Sequence, residues 1–427
     1  MSGLILAAPT SGAGKTTVTL GLLRALKSAG RIIRSAKSGP DYIDPQFHAA
    51  ATGSPCINLD TWAMTDARIK SLASGRGDLI IEGAMGLFDG APPNGKGSTA
   101  DLARILDLPV VLIVDAKAMS QSVAALVSGF AGFDPRVRVA GVILNRVGSD
   151  RHTEMLKTAL APLNIPVLGA IPRLNDLSRP SRHLGLVQAG EMPDLEEFLD
   201  RAANIVKHSV NLKALCSLMA PTVWASAVGT THNPLRIAIA QDAAFSFTYP
   251  HILNDWTRSG ATILPFSPLA DDAIPDADRV FLPGGYPELF AYQLANANTF
   301  MQSLRNAALT TDIYGECGGY MTLGETLIDA DGTAHKMAGL LGLTSSFKDR
   351  KLHLGYRNLE QRSPHPLFAF KSVTKTYNAH EFHYASTLDA QGSALFESAD
   401  AQGIPLGQIG LIDGRVAGSF AHIIDNK

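Results

Sequence analysis

Small residues, a lysine and four hydroxyls stand in line at Pro9-Thr10-Ser11-Gly12-Ala13-Gly14-Lys15-Thr16-Thr17, directly behind an apolar run at residues 4–8. Leucines then recur at helical spacing through Leu20, Leu22, Leu23 and Leu26. A strand, a glycine-rich loop and a helix in that order make a phosphate cradle. The loop N–H groups and the helix N-terminus face an anion, Lys15 reaches the outer phosphates, and the Thr16 hydroxyl can ligate Mg²⁺. Gly12, Gly14, Lys15, Thr16 and Thr17 are the candidate nucleotide-binding residues. Pro9 takes the place of the first glycine, so the loop is a variant. A plain strand-to-helix turn would explain the glycines but not Gly14-Lys15-Thr16-Thr17.

Two acidic clusters follow. Lys37-Ser38-Gly39-Pro40-Asp41-Tyr42-Ile43-Asp44-Pro45 packs two carboxylates into a proline-bounded loop, and Ile80-Ile81-Glu82-Gly83-Ala84-Met85-Gly86-Leu87-Phe88-Asp89-Gly90 sets Glu82 at a strand end with Asp89 in the loop beyond. Nucleotide-bound Mg²⁺ takes few protein oxygens, a hydroxyl and one or two carboxylates. Thr16, Glu82 and one of Asp41 or Asp44 would supply them. The plainer alternative is that the turn aspartates bond their own backbone. Asn145, at the end of another strand in Leu144-Asn145-Arg146-Val147, is a candidate reader of the nucleotide base. Arg179-Pro180-Ser181-Arg182-His183-Leu184-Gly185-Leu186 offers basic groups that could meet a polyanion.

The second half carries a different chemistry. Gly315-Glu316-Cys317-Gly318-Gly319 has the G-x-C-x-G form of a nucleophile elbow, a sharp strand-to-helix turn that projects the thiol. Upstream, Leu282-Pro283-Gly284-Gly285-Tyr286-Pro287-Glu288 ends a strand in a diglycine, so Gly284, Gly285 and Gly318 are candidates for an oxyanion hole. His422, in Gly418-Ser419-Phe420-Ala421-His422, is read as the general base at the end of a late strand, with His353 and His383 as competitors.

The elements that position these groups alternate strand and helix in the first half. Strands are expected at residues 4–8, 79–82, 110–115, 139–144 and 167–171, and helices at 65–72, 122–130 and 153–160. That pattern predicts a mostly parallel sheet covered on both faces, with ligands at the C-terminal strand edge. The expected division is 1–190 for the nucleotide domain, 191–233 for a last helix and linker, and 234–427 for a second α/β domain. A net charge of −2 speaks against nucleic acid or an anionic membrane as partner. No apolar run approaches the length of a membrane span. Three scattered cysteines make no disulfide framework, and no basic segment precedes the first apolar run, so a cytoplasmic location is expected.

Taken in order, these five motifs closely resemble the cobyrinic (or hydrogenobyrinic) acid a,c-diamide synthases of the cobalamin pathway. The resemblance implies a dethiobiotin-synthetase-like ATP domain fused to a class I, triad-type glutamine amidotransferase domain. It implies ATP and Mg²⁺ as cofactors, and a corrinoid diacid and L-glutamine as partners, with a homodimer as one assembly open to it. Asp41, Asp44, Glu82 and Asp89 become synthetase-site residues, and Tyr42 and Ile43 line the corrinoid's entry. An acyl phosphate made from ATP would be attacked by ammonia released at Cys317, along a path shielded from bulk water between facing active sites. Most triad amidotransferases have H-x-E, but here Ile423-Ile424 follows His422, so the third member is missing. The rival readings are cobyric acid synthase, which amidates other side chains, and a P-loop partitioning or metal-insertion ATPase, which has no need of Gly315–Gly319.

Overall fold

The computed structural model describes residues 1–173, 188–224, 234–363, 365 and 376–426, with the backbone at 181–182 and 185–186. Its chain divides into two compact units, Met1–Ala227 and Val228–Lys427. The basic stretch at residues 179–186 lies, for its side chains, outside the described residues, as does 225–233 of the expected linker.

The first unit is a parallel α/β sheet. Its elements are β1 (Ser2–Ala7), α1 (Lys15–Ser28), β2 (Ile33–Ser38), α2 (Asp44–Thr52), β3 (Ile57–Leu59), α3 (Asp66–Ala73), β4 (Asp78–Glu82), α4 (Thr99–Leu106), β5 (Val110–Asp115), α5 (Ser122–Gly132), β6 (Val139–Val147), α6 (Asp150–Leu160), β7 (Val167–Pro172) and α7 (Leu195–Ser209). The strands run β3-β2-β4-β1-β5-β6-β7, all parallel, and Ala220–Pro221 adds antiparallel to β1. Connections leave β1 toward one side through β2, β3 and β4, then cross to β5, β6 and β7 on the other. That reversal opens a crevice at the C-terminal ends of the central strands. Leu4, Ile5 and Leu6 are fully buried, and Phe198, Leu199 and Val206 of α7 close over α1 in the same core. Each such side chain contributes about 1.5–3 kcal/mol.

Two elements beside the crevice depart from the sequence reading. Residues 33–38, polar in part, form β2, whose C-terminal end carries Lys37 and Ser38. The proline-bounded acidic stretch is not wholly loop: α2 starts at Asp44, with Pro45 in its first turn. Pro is suited there because it lacks the N–H that a helix start leaves unbonded.

The second unit begins as a parallel sheet and continues antiparallel. Thr262–Phe266, Arg236–Ala240, Arg279–Leu282, Asp312–Glu316 and Val416–Ser419 lie side by side in parallel. Pro405–Asp413, Ser393–Ala399, His353–Gln361, Thr376–His383 and His422–Asn426 then follow antiparallel. The expected strands before Cys317 form, whereas the antiparallel strands went unread because many of their outward positions are polar and exposed. Ser419 and His422 are neighbours in sequence yet sit on the fifth and tenth strands. The sheet therefore curls until its last strand returns beside the strand that leads to Cys317. His422 opens that last strand and does not end the one before it.

Candidate active site

In the first unit Gly14 precedes α1 with φ +82°, a left-handed conformation that a side chain would strain. The Gly14 carbonyl accepts the Val18 N–H at 3.1 Å. Lys15 and Thr16 open the helix. Thr16 Oγ1 lies 2.6 Å from Glu82 Oε1 and 3.3 Å from Asp44 Oδ2, so hydroxyl and two carboxylates converge from three elements. Asn145 donates its amide to the Ala13 carbonyl at 2.8 Å, which ties β6 to the phosphate loop. A cavity of about 120 Å³ adjoins it, lined by Gly14, Thr17, Asn145, Arg146, Ile171 and Pro172 among others.

The structure adds two groups that the sequence reading passed over. Lys37 is 3% exposed, with Nζ 2.6 Å from Asp44 Oδ2, 2.7 Å from Glu82 Oε1 and 3.7 Å from Asp41 Oδ2. Burial opposes its charge, but Asp44 and Glu82 outweigh it and hold the ammonium above the ordinary lysine value. His48 Nε2 is 2.7 Å from Glu82 Oε2, while Cys56 Sγ is 3.5 Å from Nδ1. Against its burial, Cys56 and Glu82 push this histidine up to about 10. Glu82, fully buried, is nonetheless held well below the usual carboxylate range by Lys37, His48 and Lys15. Burial pulls Lys15 down, partly offset by Glu82 at 4.0 Å. A lysine ending a polar strand and a histidine one turn into a helix carry no motif, so only the sheet order brings them to Glu82.

Asp41 and Asp89 stand differently. Asp41 Oδ1 accepts the Ile43 and Asp44 N–H groups at 2.8 and 3.1 Å, capping the approach to α2. Burial and the neighbouring Asp44 push its carboxyl up. Asp89, exposed, closes its own turn by accepting the Gly86 N–H at 2.9 Å. Tyr42 is 8% exposed and Ile43 packs against the core, the arrangement of residues that seat the loop on the sheet.

In the second unit Cys317 has φ +44° and ψ −99°, between the strand Asp312–Glu316 and the short helix Gly318–Leu323. Such a conformation costs a non-glycine residue about 1–3 kcal/mol and persists only where the surroundings enforce it. The Cys317 N–H donates to Ser419 O at 2.8 Å and the Gly319 N–H to Pro283 O at 3.1 Å. These bonds pin the elbow from both sides. A Cβ on Gly284 would collide with His422 Cε1, lie 3.0 Å from Nε2 and come 3.3 Å from Cys317 Cβ. Only glycine lets thiol and imidazole share that spot. A Cβ on Gly318 would fall 3.1 Å from Gly285 N, so the Gly285 amide nitrogen lies close against the elbow. Burial pushes the Cys317 thiol up, and Glu288 adds to it, so the resting thiol is neutral and needs a base. His422, fully buried, is that neighbour. His353 and His383 instead stack on each other at 4.7 Å, and His383 bonds Glu381 at 2.9 Å. With Glu381 they bring ligand atoms within 4.8 Å of one another, but Arg357 already donates to that carboxylate at 2.7 Å.

One acid was missed. Glu316 Oε2 lies 3.5 Å from His422 Nδ1, and its Oε1 accepts the Ile423 N–H at 3.0 Å. The signal was an acid directly before the nucleophile.

Known proteins match this arrangement. Residues 4–187 match the CobQ/CobB/MinD/ParA nucleotide binding domain, and residues 236–427 the CobB/CobQ-like glutamine amidotransferase domain. Hydrogenobyrinate a,c-diamide synthase of Brucella anthropi is 53% identical over 100% of this chain and 99% of its own length. The proteins of that name from a Sinorhizobium species and from Rhodobacter capsulatus are 53% and 50% identical, over 100% and 99% of this chain and 99% and 98% of their own. No helix among the described residues is long and apolar enough to cross a membrane. With both halves matched and relatives aligned from end to end, the chain belongs to the hydrogenobyrinate a,c-diamide synthase family.

Proposed function

We propose that this protein amidates the a and c acetate carboxylates of hydrogenobyrinic acid, or its cobalt-bearing counterpart cobyrinic acid, in cobalamin biosynthesis, using ATP and glutamine. The observation that carries this reading is the end-to-end match to relatives of that name by a chain that holds both a phosphate loop and a cysteine elbow.

A carboxylate is a poor electrophile, so the synthetase unit first transfers the γ-phosphoryl of ATP to it, giving an acyl phosphate and ADP. The phosphate loop and Lys15 hold the phosphates, and Asn145 with the adjoining cavity receives the base. Thr16, Asp44 and Glu82 would hold Mg²⁺. Their oxygens suit a hard cation, and the Lys37 ammonium between the two carboxylates shows a site built around positive charge. When bound, the metal offsets charge on the transferring phosphoryl group. Asp41 and Asp89 complete the synthetase site, and Ile43 with Tyr42 shapes the loop over which the macrocycle enters.

In the amidotransferase unit His422 takes the Cys317 proton as sulfur attacks the glutamine side-chain amide. Gly285 and Gly318, with Gly284 beside them, face the developing oxyanion. Ammonia leaves, and water hydrolyses the thioester to glutamate. The ammonia attacks the acyl phosphate, forming the amide and releasing phosphate. The enzyme is assigned to the cytoplasm, consistent with three unpaired cysteines.

Incubation with each diacid, ATP, Mg²⁺ and either glutamine or an ammonium salt, with products resolved by chromatography and mass spectrometry, tests the proposal. Monoamide and then diamide should accumulate with either nitrogen donor. Absence of ATP-dependent amide from both diacids refutes it, and the two initial rates decide which corrinoid is preferred.

A further inference from the structure

A histidine base works only if its ring is held in one orientation and its protonated form is stabilised. Along the chain nothing next to His422 can do this, since two isoleucines follow it. The fold supplies the partner. Glu316 is 3% exposed, and its carboxylate faces His422 Nδ1 at 3.5 Å. We infer that Glu316, the residue directly before the nucleophile, is the acid that orients His422 and balances its charge. This rests on the reading of Cys317 and His422 as the glutaminase pair.

Three observations carry it. First, the imidazole presents Nε2 toward Gly284 and the Cys317 side chain, and Nδ1 toward Glu316, so one nitrogen serves each neighbour. Second, the other Glu316 oxygen is anchored by the Ile423 N–H, the residue beside the base, so the carboxylate is fixed to the strand that carries the histidine. Third, the elbow explains how two consecutive residues meet one ring. Along a regular strand successive side chains diverge to opposite faces. Cys317, at φ +44°, breaks that alternation, so its side chain comes beside the ring whose Nδ1 Glu316 faces. A 3.5 Å separation is long for a hydrogen bond, as is common before substrate closes such a site.

The other titratable groups near this pair do not replace Glu316. His380, across the strand pair from His422, is driven down to about 3 by burial, His422 and Arg357, and so brings no charge. Tyr314 precedes Glu316 by two residues and is pushed up by burial and by Glu316 itself. Glu288 and Glu381 act on the Cys317 thiol, and Glu381 is taken up by His383 and Arg357.

The test compares glutamine- and ammonium-dependent synthesis by the full chain in Glu316→Gln, Glu316→Asp and Cys317→Ala. In Glu316→Gln the ratio of glutamine- to ammonium-dependent rate should fall roughly tenfold to a hundredfold, less than expected for losing the base itself. The KM for glutamine should change little. The loss should fall on kcat with glutamine. Glu316→Asp should recover part of the loss, and it carries the same comparison should the glutamine variant fold poorly. A ratio within twofold of the parent, or equal losses in the Gln and Asp variants, overturns the inference. If Cys317→Ala still uses glutamine, the underlying pair is wrong. If it does not and Glu316→Gln is unaffected, only the role of Glu316 falls.

Discussion

Replacing Lys37 with methionine removes one positive charge and keeps most of the side-chain volume. The ammonium lies 2.6 Å from Asp44 and 2.7 Å from Glu82, carboxylates 5% and 0% exposed. Breaking a buried ion pair from one side costs about 3–5 kcal/mol, because the remaining charge keeps its desolvation penalty. Glu82 retains His48 at 2.7 Å and Lys15 at 4.0 Å, which places the expected loss toward the lower end of that range. Hydrogen exchange followed by mass spectrometry on peptides covering Asp78–Glu82 reads it locally. At about 1.4 kcal/mol per tenfold, protection should drop roughly 10²-fold or more. Two adjacent carboxylates without the ammonium raise each other's proton affinity, so the folded state then binds protons more tightly than the unfolded chain. The penalty should therefore shrink as pH falls from 8 to 5. Added Mg²⁺ should also recover protection, since the proposed metal site uses the same oxygens. Protection within threefold of the parent at pH 8, indifferent to Mg²⁺, would refute the claim that Lys37 neutralises this cluster.

The remaining predictions separate the two units. Cys317→Ala should abolish glutamine-dependent synthesis while ammonium-dependent synthesis persists, whereas Lys15→Ala should cripple both; steady-state rates with each donor check the split. Gly284→Ala drives a methyl group into His422 and should cut the glutamine-dependent rate about a hundredfold, reflecting loss of the base; a loss under threefold would show that the ring can step aside. His48 is raised in the folded state, so the stability it supplies is complete below its ordinary value of 6.5 and is lost as pH climbs through about 10. His48→Gln should flatten that part of the stability–pH curve, measured by denaturant unfolding of parent and variant between pH 6 and 10.

What the sequence disclosed and what it hid follow from range. Gly14, Lys15 and Thr16 are contiguous, and local geometry alone makes them a cradle. The elbow at Cys317 is legible for the same reason. Lys37, His48 and Glu316 gain their meaning only from pairing between strands or from a helix laid over a strand end, and no local spacing encodes that. Asp44 misled in a smaller way: followed by Pro45 it reads as a turn, yet Asp-Pro is equally the start of a helix. Tyr42 and Ile43 look like a surface for a macrocycle by type; in the fold Tyr42 is buried and Ile43 lies partly buried against the core, a degree of burial that residue type alone does not encode.

The curl of the second sheet has a consequence in time. Cys317 and Glu316 emerge from the ribosome together, and the strand bearing His422 follows roughly a hundred residues later. Until that strand seats itself, the nascent chain holds Cys317 without His422 beside it and without the Ser419 carbonyl that accepts its N–H. The proposed thiol–imidazole pair is therefore assembled only when the last strand of the chain closes the sheet.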